Sequence, residues 1–234
     1  MLHVSTKGWK YAGVNASVWP IYLFWHAISR IGVCCFVMIS GALFLGKPRG
    51  KNIEIVYKKY IYRIFALIVF WSCTYFVFRI LNGNLETTGI KSIAGALLFG
   101  NYHLWYLWMI AGLYAITPIF SIIIEDNKLC KYLLVLCVVG CWAPGMLEVV
   151  PILNDLAQEV LQDKLYLFLP MGYTGYYILG YYLYNNKISS KRLLMLAVIL
   201  GMIYGVIGGI LYGRHIGEPS QATYNNLTLN IVFY

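Results

Sequence analysis

Arg30 stands at the head of the run Arg30-Ile-Gly-Val-Cys-Cys-Phe-Val-Met-Ile-Ser-Gly-Ala-Leu-Phe-Leu45, which is otherwise apolar and carries a Ser40-Gly41 pair. A charge at membrane depth is expensive. Such a residue turns toward a polar cavity among helices and marks a functional pathway, or it is a structural charge satisfied by neighbouring helices. His26, about one turn earlier on the same helical face as Arg30, and Ser29, next to Arg30 in sequence, extend the polar stripe. The six cysteines offer less chemistry. All fall within or beside apolar runs, and although Cys137 and Cys141 share a helical face, no histidine or carboxylate near them in sequence completes a metal set. They read as buried, inert thiols, and no metal is expected.

The elements that must position these residues are membrane helices. With 60% hydrophobic and 12% charged residues, and a mean hydropathy of +0.68, the 234 residues do not suit a soluble globule with a charged surface. Apolar spans are predicted at about Trp19 to Leu45, Tyr60 to Leu81, Leu104 to Ile124, Lys131 to Val150, Leu167 to Tyr184 and Leu193 to Tyr212, with a further one entered near Asn225. Each complete span is close to the roughly 20 residues that cross a bilayer as a helix, and the alternation of a closed barrel is missing. The expected fold class is all-α, a polytopic transmembrane helix bundle, with residues 1–234 forming a single membrane domain.

The net charge of +9 is distributed by topology. Lys47, Arg49, Lys51, Lys58, Lys59 and Arg63 share one connection, Lys128 and Lys131 a second, and Lys187, Lys191 and Arg192 a third. They alternate with connections holding Glu86, then Glu148, Asp155, Glu159 and Asp163, then Glu218. The positive-inside rule makes the basic connections cytoplasmic, so the helix ending at Leu45 runs from outside to inside. This placement argues for a membrane and against nucleic acid. Met1 to Lys7 has no charged region followed by an apolar core and reads as the outer end of a preceding helix. Together with the apolar run that begins near Asn225, this suggests a piece of a longer protein. In the long outer connection, Asn154 to Lys164 is amphipathic and suits either a surface lid or a solvated connector.

Several motifs together carry a family resemblance. Arg30-x-x-Val33, then Phe36 and Met38-Ile-Ser40-Gly41, resembles the second-helix signature of the integral-membrane acyltransferase 3 family. His103-Leu-Trp105-Tyr-Leu107, continuing through Gly112-Leu-Tyr114 to Pro118, is similar to that family's H-L-W helix, and Gly180-Tyr-Tyr182-Leu183 resembles its later G-Y-Y-L segment. Leu2-His3-Val4-Ser5 looks like the end of the family's first-helix pattern, in which an arginine precedes a histidine by ten residues. Cys34 stands where proline is usual, a departure that bears on any kink there.

The resemblance implies acyl transfer from acetyl-CoA or another acyl-CoA on the cytoplasmic side to a hydroxyl on an extracytoplasmic glycan or related cell-envelope molecule. A base must take the hydroxyl proton, and His3 would supply a neutral imidazole suited to that task near neutral pH. Arg30 would line the transfer cavity or stabilise charge on the thioester oxygen. Lys58, Lys59 and Arg63 would meet the phosphates of the donor, since the family commonly has an arginine pair here; alternatively the lysines set topology and meet anionic lipid. His103 and Trp105, at the outer mouth of their helix, are substrate contacts or interface anchors. Ser40 has no identifiable base beside it, so Ser40-Gly41 reads as a packing or kink element. The tyrosines from Tyr173 to Tyr184 pack helices or face a sugar. Rival classes are a secondary transporter or flippase, whose paired broken-helix repeats are not found, and a non-catalytic membrane sensor domain.

Overall fold

The computed structural model describes residues 13–82, 104–142, 172–186 and 191–217. Among the described residues every regular element is helical. The helices are α1 (Trp19–Phe44), α2 (Pro48–Lys51), α3 (Ile53–Ile55), a π-helical turn (Val56–Ile61), α4 (Tyr62–Leu81), α5 (Trp105–Ile123), α6 (Asn127–Cys137), a second π-helical turn (Val138–Trp142), α7 (Gly172–Asn185) and α8 (Lys191–Ile216). The all-α membrane bundle expected from composition is the fold class observed. Two described helices are long and apolar enough to cross a bilayer: Ile53–Phe78, with mean hydropathy 1.8, and Trp105–Ile123, with 1.7. The apolar stretches Ile31–Phe44 and Ile199–Leu211 are shorter.

Element boundaries differ from the hydropathy reading where polar residues start or stop a helix. The span expected from Tyr60 begins seven residues earlier, at Ile53, because the Asn52 side chain accepts the Ile55 N–H at 3.0 Å and caps the chain there. The span expected from Lys131 begins at Asn127, where the Asp126 carboxylate accepts the Lys128 N–H at 2.7 Å. Its expected end at Val150, the start of the next span at Leu167, and the outer segment from Asn154 to Lys164 lie outside the described residues. At the other end of α1, Gly46 takes φ 67°, a left-handed backbone that glycine adopts without steric cost and that stops the helix.

The chain forms two compact units, Met1–Leu43 with Asp126–Tyr234, and Phe44–Glu125. In the first, α1 and α7 pack backbone to backbone. A Cβ on Gly41 would fall on the carbonyl of Tyr177, and a Cβ on Gly180 would fall on the backbone of Met38. Two signature segments separated by well over a hundred residues therefore meet through their glycines, as small residues allow between membrane helices. Around this contact Val37, Tyr176, Tyr177 and Ile178 are fully buried. Trp142 stacks on Tyr176 with centroids 4.8 Å apart. A separate cluster joins Trp19, Leu23 and Val14 to Ile210 of α8.

In the second unit, three rings hold the turn after α1 against α5. Phe44 stacks on Tyr114 at 4.7 Å and meets Tyr60 edge-on at 4.5 Å, while Tyr60 and Tyr114 are 6.3 Å apart. Edge-on and offset rings are favoured beyond the area they bury. The Gly46 N–H donates to the Ser121 hydroxyl at 3.3 Å, and Lys51 forms an ion pair with Glu125 at the far end of α5. These contacts set the position of the π-helical turn that follows.

Candidate functional site

The π-helical turn Val56–Ile61 separates an apolar inner side from a charged outer side. Val56 and Ile61 are buried, as are Ile64 and Ile68 further along α4. The Tyr62 N–H reaches back five residues to the Tyr57 carbonyl. Wide turns of this kind cost some regularity and recur at functional sites. Here the turn carries both Lys58 and Lys59, and α4 begins immediately afterwards with Tyr62 and Arg63.

Those side chains line one open recess of about 550 Å³, completed by Glu54 and Ile55. It is a shallow, open depression rather than an enclosed cleft. The three cations that the sequence reading expects as donor contacts, Lys58, Lys59 and Arg63, thus line one recess. They are exposed rather than enclosed. Lys58 Nζ donates to Glu54 Oε1 at 2.6 Å, an i,i+4 pair with both side chains largely in solvent. Lys59 Nζ lies 5.9 Å from the Tyr60 ring centroid, near the outer limit of a cation–π contact. Arg63 has no ion-pair partner among the described residues. Three cations against one carboxylate leave the recess positive, which favours a polyanion with several phosphates.

Glu54 and Tyr62 were not singled out by the sequence reading, although a signal existed. Both lie four residues from Lys58, one on either side, which places all three on one strip of the helical surface.

The remaining expected residues divide by position. Arg30 lies within α1, between the segment bearing Trp19 and the Met38–Gly41 contact, and His26 lies one turn before it; their side chains are outside what is described. Ser29 and Ser40, on the same helix, each turn the hydroxyl back to the carbonyl four residues earlier, to Trp25 at 2.8 Å and Phe36 at 2.9 Å. Ser40 therefore spends its proton on its own helix, consistent with the packing role of the Ser40-Gly41 pair. His3 and His103 lie outside the described residues. Trp105 opens α5, is 39% exposed and meets Tyr106 edge-on at 6.3 Å. Tyr176 and Tyr177, in the tyrosine-rich segment, are packing residues with no exposed surface. No group of three or more histidine, cysteine or carboxylate side chains converges among the described residues.

Comparison with known proteins gives one positive finding. The model of the acyltransferase 3 family, described as an acyltransferase domain, matches residues 1–234. No curated protein and no solved structure matches the chain.

Proposed function

The chain belongs to the acyltransferase 3 family and is a membrane acyltransferase, and from that premise we propose that it moves an acyl group, most simply acetyl, from cytoplasmic acyl-CoA to a hydroxyl of an extracytoplasmic glycan or related cell-envelope molecule. The observation that carries this reading is the family match over the whole chain together with the positive recess of Lys58, Lys59 and Arg63. The donor's pyrophosphate and 3′-phosphate would meet Lys59 and Arg63 directly and Lys58 in exchange for Glu54. The protein would sit in a plasma membrane as a multi-pass protein, with the recess on the cytoplasmic side as the basic connections require.

In the reaction, an imidazole nitrogen of His3 takes the acceptor hydroxyl proton as its oxygen attacks the thioester carbonyl. Charge that develops on the carbonyl oxygen is stabilised by Arg30. The carbon–sulfur bond then breaks, the oxygen ester forms, and coenzyme A leaves as a thiol after taking up the proton. His103 and Trp105 sit on the acceptor side in this scheme. The test is release of free coenzyme A thiol by membranes given acetyl-CoA and envelope acceptor. Wild-type protein releases thiol in step with acylated acceptor, and His3→Ala does not although its protein level is unchanged. Normal turnover in His3→Ala removes that base from the mechanism, and solute uptake without thiol release favours a transporter instead.

A further inference from the structure

Two tyrosines two residues apart have opposite surroundings. Tyr60 is half-buried, packs edge-on against Phe44 and lies near Tyr114, contacts that hold the turn in place. Tyr62 is 70% exposed, makes no ring contact among the described residues, and lines the recess beside Lys58, Lys59 and Arg63. Burying a ring is favourable, so a tyrosine left open on the wall of a cationic recess offers a flat apolar face to whatever the cations bind. Phosphates alone leave that face unused. A ligand carrying several phosphates next to a planar aromatic base uses both.

The geometry points to Tyr62 as the residue that stacks on the adenine of the donor nucleotide, with Lys59 and Arg63 holding the adjoining phosphates. This rests on the reading of the recess as the acyl-CoA site and adds to it a source of selectivity. The cations cannot tell a nucleotide from another polyanion, whereas a base–aromatic stack distinguishes coenzyme A from inorganic polyphosphate or a phospholipid headgroup. The backbone supports the arrangement. Tyr62 is the first residue of α4, and its N–H is tied to the Tyr57 carbonyl, which anchors the ring's helical position at the edge of the recess. Glu54, on the opposite side of Lys58 along the same strip, keeps that lysine occupied and leaves Lys59 and Arg63 as the nearer phosphate contacts.

The experiment is a calorimetric titration of the full chain in lipid nanodiscs with coenzyme A and, separately, with tripolyphosphate as a polyanion that has no base. Tyr62→Ala and Tyr62→Leu are each expected to weaken coenzyme A binding about tenfold, as loss of one base–aromatic stack does, while Tyr62→Phe stays within about twofold of wild type. Tripolyphosphate binds all four proteins equally. Tyr62→Leu keeps apolar bulk at the site, so its loss of affinity separates stacking from simple hydrophobic contact. Unchanged coenzyme A affinity in Tyr62→Ala and Tyr62→Leu overturns the assignment and makes Tyr62 an interface anchor. Equal loss of both ligands also overturns it, since the substitution has then disturbed the cations. Wild-type protein that binds neither ligand defeats the donor-site reading itself, and the stacking assignment with it.

Discussion

The two units differ in what each leaves open to a ligand. In Met1–Leu43 with Asp126–Tyr234, Gly41 and Gly180 remove side chains so that α1 and α7 touch along their backbones, and Tyr176, Tyr177 and Ile178 are sealed beside that contact. In Phe44–Glu125 Gly50 likewise leaves no room for a Cβ against the Phe44 carbonyl, but three rings, a helix cap and the Lys51–Glu125 ion pair also support a turn whose outer side stays open and charged. The family's signature residues therefore do not all serve one purpose. The glycines of the M-I-S-G and G-Y-Y-L segments are scaffold, whereas the cations at the start of α4 are exposed, and it is to these that the proposed function assigns the donor.

The largest effect that sharpens this contrast is expected at Gly41. Gly41→Val places side-chain atoms in the Tyr177 backbone, so the helices must separate; a cost of about 3 kcal/mol or more is expected, seen as loss of monodisperse protein in detergent. Phe44→Ala removes the central ring of the second unit and is expected to cost about 3 kcal/mol, read as a lower midpoint in thermal unfolding. If Gly41→Val melts as wild type does, the α1–α7 contact is not the scaffold described here.

Smaller effects belong to the recess and act on binding rather than folding. Arg63→Ala removes a charge-assisted phosphate contact and is expected to weaken coenzyme A binding about tenfold with the unfolding midpoint unchanged. Glu54→Gln releases Lys58 and removes the carboxylate from the recess; because the pair is exposed, the gain in coenzyme A affinity is expected to be only about threefold. That gain shrinks as salt is raised, since exposed charges are screened. A fall in affinity on Glu54→Gln would mean that the carboxylate positions Lys58 rather than competing for it.

How much of this was legible in the sequence depends on whether the cause is local. Lys58, Lys59 and Arg63 could be grouped because four-residue spacing alone puts them on neighbouring turns. Gly41 and Gly180 could be recognised as motif residues, but their meeting could not, because it depends on a crossing between helices far apart in the chain. Glu54 fell outside the span drawn from Tyr60, since hydropathy does not register the Asn52 cap that starts the helix earlier. Tyr60 and Tyr62 look equivalent in sequence. Only the packing of Phe44 and Tyr114 against one of them separates structural ring from free ring. Arg30 was conspicuous as a charge in an apolar run; it lies within α1, and its side chain is outside what is described.

The most direct test of the donor recess is the dependence of acyl transfer on acetyl-CoA concentration in membranes bearing wild-type protein or the Lys59→Ala/Arg63→Ala double variant. The expected result is a KM for acetyl-CoA raised at least about tenfold with kcat nearly unchanged, because the lost contacts hold the donor's phosphates equally before and during the reaction. An unchanged KM, or a fall in kcat alone, would contradict the placing of the donor in this recess.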